Sequence, residues 1–164
     1  MINNTCFCFD IDGTMANGKH RQPLIRSKPK NWPAYKRLAF DDSVIEPVMR
    51  VFHAVRNAGH KTFICSGRSE DERDVTERWL SDKCIINVQD RAFESNAVTE
   101  LYMRPANDHR EDSIIKMEIL NNIIRPRGYN ILGVFDDRNR VVQAWRKEGL
   151  FVFHVDQTSV SENF

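Results

Sequence analysis

The stretch Cys6-Phe7-Cys8-Phe9-Asp10-Ile11-Asp12-Gly13-Thr14 constrains the fold of this chain more than any other. An unbroken apolar run of strand length reads as a strand buried on both faces. It delivers a carboxylate, with a second two residues on, to the mouth of a sheet, where a glycine turns the backbone. Such a pair can act as nucleophile and neighbouring general acid, a combination suited to phosphoryl transfer. The plainer reading is a strand that ends in an Asp-Gly turn. Companions further along the chain weigh against it.

Downstream, short apolar strands alternate with helical patterns. Ser43 and Glu46 predict a capping box that opens a helix over residues 43–58, closed by Gly59. Residues 61–65 read as a buried strand that ends at Ser66-Gly67-Arg68, and Ser69 with Glu72 predicts a second capping box, opening a helix to about Leu80. A third strand is expected over 84–88 and an edge strand over 101–104. The stretch 89–100 has no clear assignment. A helix over 112–124, ended by Pro126 and Gly128, places Asp112 and Lys116 four apart on one face. A strand over 131–135 then ends at Asp136-Asp137-Arg138. A helix to Gly149 and a closing strand over 150–155 complete the pattern. The expected fold is α/β: an open, mostly parallel sheet with helices on both faces. Residues 1–156 form one domain in this reading, with 157–164 as a C-terminal tail. In such sheets ligands bind beyond the carboxyl ends of the strands. Asp10, Ser66 and Asp136 all sit at such ends.

The 164 residues carry a formal net charge of +1, so no global field announces a polyanionic partner. The field is local instead. Residues 17–40 hold Lys19, Arg21, Arg26, Lys28, Lys30, Lys36 and Arg37 and no acidic residue, with His20, Trp32 and Tyr35 interleaved. This segment could follow a nucleic-acid backbone and stack on bases, or it could be a solvated loop with Trp32 packed on the core. No apolar stretch reaches the roughly 18 residues of a membrane span, and a soluble, unsecreted protein without a membrane partner is expected. Cys6, Cys8, Cys65 and Cys84 all fall in predicted strands and read as small buried hydrophobes rather than zinc ligands, consistent with a reducing compartment.

Phosphate monoester cleavage needs a nucleophile, a proton donor for the leaving oxygen, cations for the phosphoryl oxygens and a hard metal ion. Asp10 is the candidate nucleophile and Asp12 the candidate acid and base. Ser66 and the backbone after it could donate to phosphoryl oxygens, and Lys116 supplies a fixed positive charge. Asp10 and Asp136, with a backbone carbonyl near Asp12, form an oxygen-rich set for Mg²⁺, and Asp137 is a further contact to the ion or a partner behind it. Phe40-Asp41-Asp42 spells the same tripeptide as Phe135-Asp136-Asp137 but follows no apolar strand. It is read as the lead-in to a helix.

In order, Asp10-Ile11-Asp12-Gly13-Thr14, Ser66-Gly67-Arg68, Lys116 and Asp136-Asp137 resemble the four motifs of the haloacid dehalogenase (HAD) superfamily of phosphohydrolases. Within it the chain is most similar to the 3′-phosphatase domain of phage-type polynucleotide kinase/phosphatases. The similarity runs from Cys6 to Val155 and includes Arg21, Asp112-x-x-x-Lys116 and Phe135-Asp136-Asp137-Arg138. The resemblance implies a HAD-like, Rossmann-type fold, an aspartyl-phosphate intermediate and a Mg²⁺ site built from Asp10, Asp12, Asp136 and Asp137. It also implies phosphate or substrate contacts from Arg21, Ser66, Gly67 and Arg68, with Asp112 orienting Lys116. On the residues alone, Arg68 and Arg138 could equally be surface residues at helix starts. The substrate implied is a 3′-phosphorylated DNA or RNA end, with a separate kinase or ligase as partner and a cytoplasmic setting, the host cytoplasm if phage-encoded. The sequence departs from the bifunctional members in having no G-x-x-x-x-G-K-[ST] loop, and from many HAD enzymes in leaving no room between motifs for a large cap domain. A nucleotidase or small-molecule phosphatase, and a catalytically silent nucleic-acid-binding module, are the competing readings.

Overall fold

The computed structural model describes residues 4–84 and 99–156. In chain order the strands are β1 (Thr5–Phe9), β2 (Ala16–Asn17), β3 (Ser43–Val44), β4 (Lys61–Ser69), β5 (Thr99–Arg104), β6 (Asn130–Asp136) and β7 (Val152–His154). The α-helices are α1 (Pro23–Arg26), α2 (Trp32–Arg37), α3 (Glu46–Asn57), α4 (Arg73–Lys83), α5 (Asp112–Ile119) and α6 (Asn139–Lys147). Five strands form one parallel sheet in the order β5-β4-β1-β6-β7, and β2 and β3 pair antiparallel as a small separate ribbon. The chain builds outward from β1 through β4 to β5, then returns to the other side of β1 for β6. The strand order therefore reverses beside β1, where sheets of this type bind ligands.

The period-two alternation of β1 divides the core. Cys6 and Cys8 pack with Ile115, Ile119, Val141, Val142 and Trp145 of α5 and α6. Phe9 packs on the opposite face with Met49 and Phe52 of α3 and Trp79 and Leu80 of α4. Helices therefore cover both faces, as the strand-helix alternation implies. Phe9, Phe135 and Phe153 are register partners on β1, β6 and β7. Their rings stack at centroid distances of 4.6 and 4.4 Å, which locks the residues that follow Phe9 and Phe135 side by side.

Several local expectations are corrected. Ser43 caps no helix: it pairs with Asn17 in the β2–β3 ribbon, and α3 starts at Glu46 with Pro47 in its first turn. Proline tolerates that position because its missing N–H would be unpaired there anyway, and Ile45 N–H is drawn instead to Met15 O at 2.8 Å. The Ser69–Glu72 capping box does form, opening a 3₁₀ turn that leads into α4. The helix expected over 112–124 is α-helical only to Ile119 and continues as a π turn over Leu120–Ile124. Pro126 then sits in a 3₁₀ turn closed by Gly128 at φ 71°. Residues 17–40 are not a bare loop but two short helices and 3₁₀ turns. Cys84 caps the end of α4 rather than starting a strand, and the rest of the strand expected over 84–88 lies outside the described residues. All four cysteines are free and buried. No helix among the described residues is long and apolar enough to cross a membrane.

The edge strand β5 is fastened by Glu100, which is buried and takes Lys61 from β4, Arg127 Nη1 at 2.7 Å and Tyr102 Oη at 2.5 Å. Burial alone would raise its carboxyl, but Arg127 and Lys61 outweigh that and hold it at about 2, below the ordinary 4.5. A depressed carboxyl contributes stability above its unfolded pKa and loses it as pH falls toward the folded value. Stability should therefore drop between about pH 4.5 and 2, read as a fall in the urea midpoint. Glu100→Gln should flatten that drop while lowering the midpoint at pH 7, and a wild-type-like acid profile in the variant would contradict the assignment.

Candidate active site

β1 and β6 run parallel with Phe9 opposite Phe135, so Asp10 and Asp136 emerge side by side at the carboxyl edge, and Asp10 N–H donates to Phe135 O at 2.9 Å. Between them lies the Lys116 ammonium, 2.8 Å from Asp10 Oδ1 and 2.7 Å from Asp136 Oδ2, on a side chain only 2% exposed. Lys116 reaches this point because the face of α5 that carries Ile115 and Ile119 packs on the sheet. Asp136 also accepts from Trp145 Nε1 at 3.2 Å and from the Arg138 backbone N–H at 3.2 Å. Asp10, Asp136 and Asp137 each place a carboxylate oxygen within 4.8 Å of the others.

Burial raises the Asp10 carboxyl, Lys116 opposes, and Asp136 and Asp137 add to the push, leaving it at about 8. Burial and then Asp136 raise Asp137 to about 6. Lys116, for which burial alone would favour the neutral amine, is held charged by Asp10 and Asp136 and rises above its ordinary value. Three crowded, desolvated carboxyls around one ammonium carry more negative charge than that ammonium offsets, and hard oxygen donors at this separation fit a divalent cation. The backbone is shaped to the same end. Gly13 sits at φ +86°, and a Cβ there would lie 2.0 Å from Asp137 Oδ2, so only glycine leaves room for that carboxylate.

Asp12 faces a different environment. Its Oδ1 accepts from Arg21 Nη2 at 2.6 Å and Arg68 Nη2 at 2.7 Å, and its Oδ2 accepts from Arg68 Nε at 2.9 Å. Against burial, Arg68 and Arg21 hold its carboxyl down at about 2. The carboxylate of Asp12 is thus outside the three-oxygen cluster with which the sequence grouped it. Arg21 and Arg68 are 1% and 4% exposed, which removes Arg21 from the solvated cationic run and rules out the surface reading of Arg68. Arg138 keeps an exposed side chain at the start of α6. Ser66 is buried behind the site with its Oγ accepting the Arg68 N–H at 3.1 Å. A Cβ on Gly67 would meet Asp112 Oδ1 at 2.8 Å. Asp112 itself accepts from Arg104 and Arg138, so it orients those two guanidiniums rather than Lys116.

Asp42 is the largest correction. Read as the lead-in to a helix, it is instead wholly buried in the site. Its Oδ1 accepts from Arg21 Nε at 2.8 Å, and its Oδ2 from Arg21 Nη2 at 2.7 Å and Arg68 Nη2 at 2.9 Å. Trp79 Nε1 fixes its backbone carbonyl at 2.7 Å, and His20 Nε2 lies 2.9 Å from Oδ1. Two carboxylates and two guanidiniums thus close a square. The signal was available: after the acid-free residues 17–40, Asp41 and Asp42 are the first carboxylates that follow Arg21 in the chain. Arg104, at the carboxyl end of β5, was missed as well, although its place at a strand end is the same clue that marked Asp10. Arg21, Arg68 and Arg104 line an open cleft of about 600 Å³ with Asp10 and Asp12 on its floor, and Asp42 lies buried behind its lining.

The fold and this site define a HAD-type phosphatase. The family model described as the polynucleotide kinase PNKP phosphatase domain matches residues 4–159, and the chain belongs to that family. A putative bifunctional polynucleotide kinase/RNA ligase of Autographa californica nuclear polyhedrosis virus is 29% identical over 140 residues, covering 84% of this chain and 17% of the viral protein. A chain in the structure of the Pnkp1/Rnl/Hen1 RNA repair complex is 32% identical, with a TM-score of 0.69, over 92% of this chain and 42% of that one. A haloacid dehalogenase-like hydrolase from Streptococcus pneumoniae shares the fold at 8% identity, with a TM-score of 0.58 over 94% of this chain and 85% of its own. The chain thus spans less than half the length of the viral protein and of the matched chain in the repair complex.

Removing the charge of Asp42 leaves Arg21 and Arg68 sharing Asp12 alone. Asp42→Asn should cost about 3 kcal/mol of stability or more, the usual scale for breaking a buried ionic pair, read from urea unfolding. It should also lower kcat/KM on phosphomonoesters at least about tenfold. Wild-type values for both would remove Asp42 from the site.

Proposed function

We propose that this chain removes the 3′-phosphate from nucleic-acid ends through an aspartyl phosphate on Asp10. The observation that carries the reading is the separation of charge on the cleft floor. A Lys116-bridged carboxylate cluster lies two residues from a carboxylate gripped by two guanidiniums. In this reading an Asp10 oxygen attacks phosphorus, the bond from phosphorus to the ribose 3′-oxygen breaks, and Asp12 protonates the leaving oxygen. Asp12 then takes a proton from water as the water oxygen attacks the same phosphorus and frees Asp10, releasing inorganic phosphate. An incoming phosphate dianion competes with Asp12 for Arg21 and Arg68. Each bond it takes over raises the proton affinity of Asp12, which couples substrate binding to the acid step. Mg²⁺ held by Asp10, Asp136 and Asp137 would offset the repulsion between carboxylate and phosphate when bound. Asp112 holds Arg104 and Arg138 at the cleft wall, and Gly67 lets the chain pass close to it.

A polymer end, rather than a small phosphate, is supported by the open cleft and by Lys19, Arg26, Lys28, Lys30 and Arg37, all solvent-exposed along the segment that forms one wall. The kinase and ligase in the name of the viral relative support a separate kinase or ligase as partner, the ligase being the one that would use the 3′-hydroxyl end so produced.

Phosphate release from a 3′-phosphorylated oligonucleotide should exceed that from the 5′-phosphorylated oligonucleotide and from a nucleoside monophosphate at equal concentration. A preference for the mononucleotide would favour a nucleotidase. Asp10→Asn should reduce turnover by about 10³-fold or more with the unfolding midpoint retained. Asp136→Ala should raise the Mg²⁺ concentration needed for half-maximal rate. Undiminished activity of wild type in excess chelator would refute the metal assignment.

A further inference from the structure

Trp32 and Tyr35 belong to neither of the two core clusters among the described residues, and Trp32 is 47% exposed. The hydrophobic core uses neither ring. They are nonetheless held in place: the rings meet edge to face at 5.7 Å, and Lys30 Nζ lies 5.6 Å from the centre of the Trp32 ring. The Tyr35 ring in turn carries the Arg21 guanidinium at 4.2 Å, and Arg21 donates to Asp12. An unbroken line of contacts therefore joins an exposed indole to the carboxylate on the cleft floor. Trp32, Tyr35 and Ile25 line the same cleft as Asp10 and Asp12, and Asn107 and His109 are among its other polar lining.

We propose that Trp32, backed by Tyr35, is a stacking subsite for the base of the terminal nucleotide whose 3′-phosphate sits at Asp10. The proposal rests on the 3′-phosphatase reading and names which part of the substrate the wall recognises. Its occupant must be joined to the phosphate on the cleft floor, be flat, and prefer an aromatic surface beside a cation. A nucleobase meets all three conditions, whereas a bare sugar phosphate meets only the first. Stacking accepts every base because each has a π face, so the subsite selects for the presence of a base and not its identity. Nothing in the step from Asp10 to phosphorus needs it, so its effect belongs mainly in KM.

The test compares two oligonucleotides that end in a 3′-phosphate, one on an ordinary nucleotide and one on an abasic sugar. Wild type should favour the base-bearing end about tenfold in kcat/KM, mostly through KM. Trp32→Ala should lower kcat/KM for that end about tenfold and bring the ratio of the two substrates to about one, and Trp32→Phe should restore most of it. A second readout is optical. Trp79 and Trp145 are fully buried, so the base-bearing oligonucleotide should quench indole emission in Asp10→Asn and should not in Asp10→Asn with Trp32→Phe. Release from both ends at equal efficiency by wild type, or a ratio that survives Trp32→Ala, overturns the subsite alone. No release from either end overturns the 3′-phosphatase reading and the subsite with it.

Discussion

One buried ammonium makes the carboxyl edge of this sheet tenable. Lys116 lies within 2.8 Å of both Asp10 and Asp136 in a space almost closed to water. Without it, two carboxyls and the nearby Asp137 would share that space with no compensating charge. The requirement propagates outward. Lys116 arrives there only if α5 packs its apolar face on the sheet, and the two carboxylates meet it only if β1 and β6 keep the register that sets Phe9 against Phe135. The stacked rings of Phe9, Phe135 and Phe153 enforce that register with purely apolar contacts. The core and the site are thus one arrangement seen from two ends.

The turn from Asp10 to Asp12 crosses a boundary between two electrostatic regions. On one side Asp10 and Asp137 are pushed up toward neutrality by burial and by neighbouring carboxylates; on the other Asp12 is drawn down by Arg68 and Arg21. Two residues suffice for this contrast because Asp42 neutralises much of the guanidinium charge from behind. Asp42 also binds Arg21 to Arg68 across β4 and the 17–40 segment. The tendencies of Asp10 and Asp12 run opposite to their proposed roles, so a cation at the cluster would have to draw Asp10 down to its anion, and a phosphate would have to take Arg21 and Arg68 from Asp12 before Asp12 could hold a proton.

The parts of the molecule legible from its sequence are those set by short-range periodicity. The apolar run before Asp10, the one before Asp136 and the helical spacing of Val141, Val142 and Trp145 each specify an element, and the sheet gathers their ends. What escaped depends on partners distant in sequence. Asp42 looked like the start of a helix because nothing within a few residues reveals that Arg21 and Arg68 converge on it. Ser43 and Glu46 matched a capping pattern, but pairing of Ser43 with Asn17 took the backbone into a strand. Asp112 and Lys116 share a face, yet Arg104 and Arg138 claim the carboxylate first. Arg21 stood in a run of cations with the composition of a solvated segment, and only the tertiary placement of Asp12 and Asp42 draws it inside.

The covalent step is the centre of this mechanism and can be observed directly. A 3′-phosphorylated oligonucleotide bearing ³²P in its terminal phosphate, mixed with the enzyme and quenched in acid within a single turnover, should leave label on the protein. Peptide mapping should locate it at Asp10, and hydroxylamine should remove it, as expected of an acyl phosphate. Label that persists in Asp10→Asn, or turnover with no labelled protein at any quench time, would contradict a mechanism in which Asp10 attacks phosphorus.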